Sequence, residues 1–176
     1  MKYFHIKLLP ALAVLFLDQI SKIAVISNID LYNSIPVIDG FFSLAHMRNR
    51  GMAFGIMNQS TISWKFYLLV IATLVAIGVL VYWLVRLKQE EKKTMFSLSL
   101  ILGGALGNLV DRIRIQEVID FLDFSFMGHH WPAFNLADSA ISIGVILILI
   151  YMLFQKPPDS PDNNTEANRN LDTTIN

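Results

Sequence analysis

The chain has 176 residues, 54% hydrophobic and 16% charged, with a formal net charge of +0. Charged residues make up about a quarter of an ordinary soluble domain, so this composition, with mean hydropathy +0.50, excludes one. Neutrality leaves no global field to gather nucleic acid. Cysteine is absent, which removes disulfides, thiolate nucleophiles and thiolate metal sites together.

In chain order, four apolar segments approach the roughly 20 residues that cross a bilayer. They lie at about 8–26, 66–85, 95–112 and 137–154. The first follows Lys2 and Lys7, as a signal peptide would. Asp18, Gln19 and Lys22 lie inside it and no small-x-small cleavage site follows, so it is expected to be retained. Between spans one and two, residues 31–45 mix apolar residues with the turn formers Asn33, Pro36, Asp39 and Gly40. That pattern predicts short strands, and a small sheet lying on the membrane face. Residues 1–156 are expected to form one membrane domain. Residues 157–176 are polar and proline-rich, a composition that predicts a disordered tail.

Positive charge sets the orientation. Lys2 and Lys7, then Arg86, Lys88, Lys92 and Lys93, then Lys156 fall on one side of a four-span chain. Both termini and the tail are therefore expected in the cytoplasm. The loops of about 27–65 and 112–136 then share the outer face, although Arg48, Arg50, Lys65, Arg112 and Arg114 weaken the bias. The fold class is thus an all-α membrane protein of four transmembrane helices, with a small β-sheet and loop region outside.

Ionisable groups near membrane depth are costly and mark functional sites by default. Asp18 and Lys22 are four apart on span one and can pair, either as a structural ion pair or beside a substrate. Asn49, Gly51, Ala53 and Phe54 suggest a tight outer turn, either a plain loop or an edge that takes an extended peptide as an added strand. In GGALGNLVDR, Gly103 and Gly107 allow close helix approach, while Asn108, Asp111 and Arg112 share one helical face. Asn135, Asp138, Ser139 and Ser142 make a similar face on span four. By themselves such stripes read as interhelical glue. The alternative is that Asn108, Arg112 and Asn135 position a substrate backbone.

Asp120 and Asp138 flank one short outer loop. Two carboxylates sharing a site hold one proton between them, which suits general acid and general base work in peptide hydrolysis. Read separately, Asp138 is an N-cap of span four and Asp120 is a loop acid. HExxH, GxSxG and phosphate-loop patterns do not occur. His129 and His130 are adjacent, a poor spacing for two metal ligands on one face, and no metal site is expected.

Taken together, DQISK (18–22), NRGMAF (49–54), GGALGNLVDR (103–112), VIDF (118–121) and FNLADS (134–139) resemble the lipoprotein signal peptidases, the type II signal peptidases of bacteria. The resemblance covers roughly residues 5–155. It implies an aspartyl endopeptidase of the inner membrane, with its active site at the periplasmic face. Such an enzyme removes signal peptides from prolipoproteins, cutting just before a diacylglyceryl-modified cysteine. It implies Asp120 and Asp138 as the catalytic pair. Asp18, Lys22, Asn49, Asn108, Asp111, Arg112 and Asn135 are implied as substrate-binding or supporting residues. No cofactor is called for, membrane lipid and diacylated prolipoproteins are the expected partners, globomycin-like cyclic peptides are expected inhibitors, and a monomer is expected. The competing readings are a small proton-coupled transporter and a structural membrane subunit.

Overall fold

The computed structural model of the chain describes residues 4–51, 63–88 and 90–154. Residues 52–54 of NRGMAF and the tail from 157 lie outside them. The described elements are α1 (Phe4–Asn28), β1 (Ser34–Ile38), β2 (Phe42–Asn49), α2 (Ser63–Arg86), α3 (Lys92–Ile115), β3 (Val118–Phe126), β4 (His129–His130) and α4 (Leu136–Phe154). Each of the four helices is long and apolar enough to cross a membrane.

The central helix is α3. Protein encloses 61% of its most apolar stretch, against 6% for α2. Glycine lets the neighbours come this close. At Gly103 a Cβ would meet Ala11 and Val14 of α1, and at Gly104 it would meet the Ala137 backbone and Ile141 of α4. At Gly107 it would strike the Asp18 carboxylate and the Ala137 side chain. These three glycines of α3 therefore serve two seams, one toward α1 and one toward α4.

The remaining helix, α2, packs on this core near its C-terminal end. Leu84 is fully buried with Ala11, Leu98 and Leu102. Lys7 donates from Nζ to the carbonyls of Leu84 at 2.9 Å and Leu87 at 2.8 Å. These are the carbonyls that a helix end leaves unsatisfied, where positive charge is favoured. Ser99 on α3 donates to the Lys7 carbonyl, closing a three-helix staple at this end of the bundle.

At the opposite end the four strands form one antiparallel series in the order β1-β2-β3-β4. The expected strands of 31–45 are present. The sheet also takes β3 and β4 from the stretch read as an outer loop, and α3 runs on to Ile115, so Arg112 and Arg114 are helical. Gln116 then enters the left-handed region at φ 60° and caps the helix by donating its N–H to Arg112. This sharp exit turns the chain straight into β3.

The sheet is bound to the helices by Val25 of α1 and Ile29 just past its end packing on Phe121, with Leu44, Leu122 and Leu136 around them. His46, also buried, holds the Ile29 carbonyl through Nδ1 at 2.8 Å and accepts from Arg48 Nε at 3.3 Å. Arg48 can only donate to it, so Nε2 is the acceptor and Nδ1 carries the hydrogen. This residue, which the sequence left unremarked, ties the end of α1 to β2.

Candidate active site

Two backbone devices set the position of Asp120. Between Leu44↔Leu122 and Met47↔Asp120 the β2–β3 register slips by one residue, a bulge of the kind that re-aims a side chain next to a site. Beyond it, the amides of Phe121 and Leu122 both donate to the Phe134 carbonyl, at 2.9 and 2.8 Å. That stitch holds the segment leading into α4 against β3. Asp120 itself is 3% exposed.

Asp138 stands in the first turn of α4, but it is not the cap. Asn135 is. Its Oδ1 accepts the Asp138 amide at 3.0 Å, the bond that defines an asparagine N-cap. The same side chain donates through Nδ2 to Asp120 Oδ1 at 2.7 Å, and more weakly to the Asn108 Oδ1 at 3.3 Å and the Ile119 carbonyl at 3.2 Å. Asn108 on α3 in turn donates to Asp138 Oδ1 at 2.8 Å. The two aspartates are thus linked through a pair of asparagines, one on α3 and one capping α4.

Asn49 at the end of β2 supplies a further donor to Asp120, from Nδ2 to Oδ2 at 3.0 Å, while its Oδ1 accepts the Gly51 amide at 2.9 Å. Gly51 has φ 92°, a conformation that suits glycine. Burial, joined by the nearby charge of Asp138, pushes the Asp120 carboxyl up to about 6, against the pull of the Asn49 and Asn135 donors and of Lys22. Arg112 is half-buried within electrostatic reach of Asp138, Asp111 and Asp120. An arginine cannot lose its proton there, so it is a fixed cation facing three acids.

The expected Asp18–Lys22 pair is present and has a third member. Lys22 Nζ lies 2.8 Å from Asp18 Oδ2 and 2.7 Å from Asp111 Oδ2, with all three side chains at most 1% exposed. Lys22 also donates to Asn108 Oδ1 at 3.3 Å. Gln19, which the sequence presented only as a polar residue inside a span, donates to both acids and to the Gly107 carbonyl. Asp18 Oδ1 accepts the Ala137 amide at 3.0 Å and Asp111 Oδ2 accepts the Ile119 amide at 3.3 Å. All nine residues singled out as a site therefore meet at one end of α1, α3 and α4. Ser139 is spent on the Asn135 carbonyl and Ser142 is exposed. His129 and His130 are exposed on β4, with His130 against Asp123 at 3.0 Å, away from the two aspartates. No cluster of metal-ligating side chains occurs among the described residues.

Chemically, the arrangement holds two carboxylates joined through amides, with one guanidinium beside them, at one end of an apolar helical bundle. This is the constitution of a multi-pass membrane protein with a paired-carboxylate site. Comparison with known proteins gives the class a family. The model of signal peptidase (SPase) II matches residues 10–154, and the chain belongs to that family of membrane peptidases. The lipoprotein signal peptidase of Geobacter sulfurreducens is 45% identical over 150 residues, 85% of this chain and 92% of that protein. The protein of the same name from Bacillus pumilus is 45% identical over 143 residues, 81% and 89% of the two chains. Two solved structures described as bacterial membrane enzymes superpose with TM-scores of 0.77 and 0.76 at 34% and 35% identity. They cover 90% and 86% of this chain, and 93% and 95% of their own. Family membership sets the transporter and structural-subunit readings aside.

Proposed function

We propose that the chain removes the signal peptide from diacylglyceryl-modified prolipoproteins, cutting on the N-terminal side of the lipidated cysteine, with Asp120 and Asp138 as catalytic acid and base. The observation that carries this reading is the paired link of Asp120 and Asp138 through Asn135 and Asn108. It is reinforced by a carboxyl at Asp120 already pushed up to about 6. A proton held on Asp120 is available near neutral pH.

In the first step the ionised member takes a proton from water as the oxygen attacks the scissile carbonyl carbon. The protonated member gives its proton to the carbonyl oxygen, forming a neutral gem-diol. In the second, that hydroxyl's proton returns to one aspartate while the other protonates the departing nitrogen, and the C–N bond breaks. The pair ends with the single proton it began with. Arg112 offers its guanidinium to the substrate's carbonyl oxygens. As substrate displaces water, burial pushes Asp120 up further.

Depth supports the same reading. A cysteine carrying two acyl chains presents its scissile bond at the bilayer surface, and the two aspartates stand where α3 ends and α4 begins. The outward side chains of α1 and α2 are largely apolar and suit acyl chains. The positive charge distribution favours cytoplasmic termini and a periplasmic site in the bacterial inner membrane. Globomycin-like cyclic peptides would compete for this site, and the enzyme would work as a monomer. Purified protein with a diacylated prolipoprotein in lipid vesicles tests the proposal. Cleavage before the cysteine, lost in Asp138→Asn, is the expected result, whereas cleavage of the unlipidated precursor alone would refute the substrate.

A further inference from the structure

From the contacts of the buried triad, and resting on the catalytic reading of Asp120 and Asp138, we infer that Asp111 and Asp18 are positioning residues. Each carboxylate holds the backbone amide immediately before one catalytic aspartate. Asp111 accepts the N–H of Ile119, ahead of Asp120, and Asp18 accepts the N–H of Ala137, ahead of Asp138. Lys22 lies between the two carboxylates at 2.8 and 2.7 Å. One ammonium therefore couples the strand that carries one acid to the helix that carries the other.

The triad also fixes the polarity of the link between the acids. An ammonium only donates, so Lys22 requires the oxygen of the Asn108 amide to face it. The nitrogen of that amide is then turned to Asp138, to which it donates at 2.8 Å. Reversing this one amide would set an oxygen against a carboxylate oxygen. A simple ion pair stabilising the bundle needs neither the two backbone amides nor this alignment. A charge-neutral pair would hold α1 to α3 as well, yet here two carboxylates share one cation in a fully buried setting, which costs desolvation. The second carboxylate is accounted for by the second amide.

Asp111 allows a clean test, because Ile119 and Lys22 both approach its Oδ2. Asp111→Asn keeps an oxygen for both donors, whereas Asp111→Ala removes it and leaves Lys22 neutralised by Asp18. With a diacylated prolipoprotein in vesicles, Asp111→Ala is expected to lower kcat about 10- to 100-fold, the scale of a small misplacement of reacting groups. KM is expected to stay within about twofold. Asp111→Asn is expected to recover most of that loss. Folded protein is checked by thermal unfolding in detergent. Equal kcat for the alanine and asparagine variants, or a loss in KM alone, would overturn the clamp. If Asp111→Ala does not accumulate folded, Asp111→Asn decides alone: retained turnover supports the clamp, and a folded variant more than about a hundredfold slower rejects it. Asp138→Asn serves as the reference. Normal processing by that variant would sink the catalytic reading itself, whereas an inactive Asp138→Asn beside an unimpaired Asp111→Ala sinks only the clamp.

Discussion

Asn135 donates to Asp120 at 2.7 Å while capping the helix that begins beneath Asp138. One side chain thus starts α4 and sets the separation of the two acids. Losing a cap costs about 1 kcal/mol, whereas a small misalignment of reacting groups costs up to about a hundredfold in rate. Asn135→Ala should therefore hurt turnover far more than stability. Melting temperature and kcat measured on the same preparation separate the two, and a large fall in stability with normal kcat would contradict the assignment.

The raised carboxyl of Asp120 has a consequence for stability. Its pKa in the folded protein is about 6, above the ordinary 3.8, so the folded state binds this proton more tightly than the unfolded chain. Its stabilisation is complete below pH 3.8 and is lost as pH rises through about 6. The size is on the order of 1–3 kcal/mol. Thermal unfolding in detergent should show wild-type stability dropping as pH rises from about 4 to about 6, with a shallower drop in Asp120→Asn. Parallel pH profiles for the two proteins would argue against a buried, proton-holding Asp120.

Asn108 joins Lys22 on one side to Asp138 on the other. Asn108→Ala removes the donor to Asp138 and one neighbour of the ammonium. Turnover is expected to fall by about 100-fold while Asp18 and Asp111 still hold Lys22. Kinetics in vesicles check this, and a variant retaining more than half the wild-type kcat would remove Asn108 from the machinery.

The α3–α4 seam tolerates no added carbon at Gly104, where a Cβ would meet the Ala137 backbone. Gly104→Ala should destabilise by about 1–3 kcal/mol, the usual cost of overpacking. It should also slow turnover by displacing α4 and Asp138. Gly78 on α2 has nothing within 4 Å of such a carbon. Gly78→Ala is expected to leave the melting temperature unchanged or slightly raised.

The four spans were legible because a long apolar run has one cheap conformation in lipid, a helix. The strands of 34–38 and 42–45 announced themselves by turn residues on either side. By contrast, Val118–Phe126 reads as a polar loop, since Asp120 and Asp123 interrupt its alternation. It becomes a strand by pairing with β2, some seventy positions upstream, where Asn49 lies opposite Val118. The sequence offered Asp18 and Lys22 as a pair because helical spacing is local. Asp111 as the second partner of Lys22, like the roles of Gln19 and His46, depends on which helices touch, and no local pattern encodes that. The site residues themselves stood out as polar side chains in apolar surroundings, where each needs a reason.

The most direct measurement is processing of a diacylated prolipoprotein in lipid vesicles by wild type, Asp120→Asn and Asp138→Asn, each verified as folded by thermal unfolding. Cleavage by the wild type, with both variants reduced to background, is the expected result. Wild-type turnover by either folded variant would contradict the paired-aspartate mechanism.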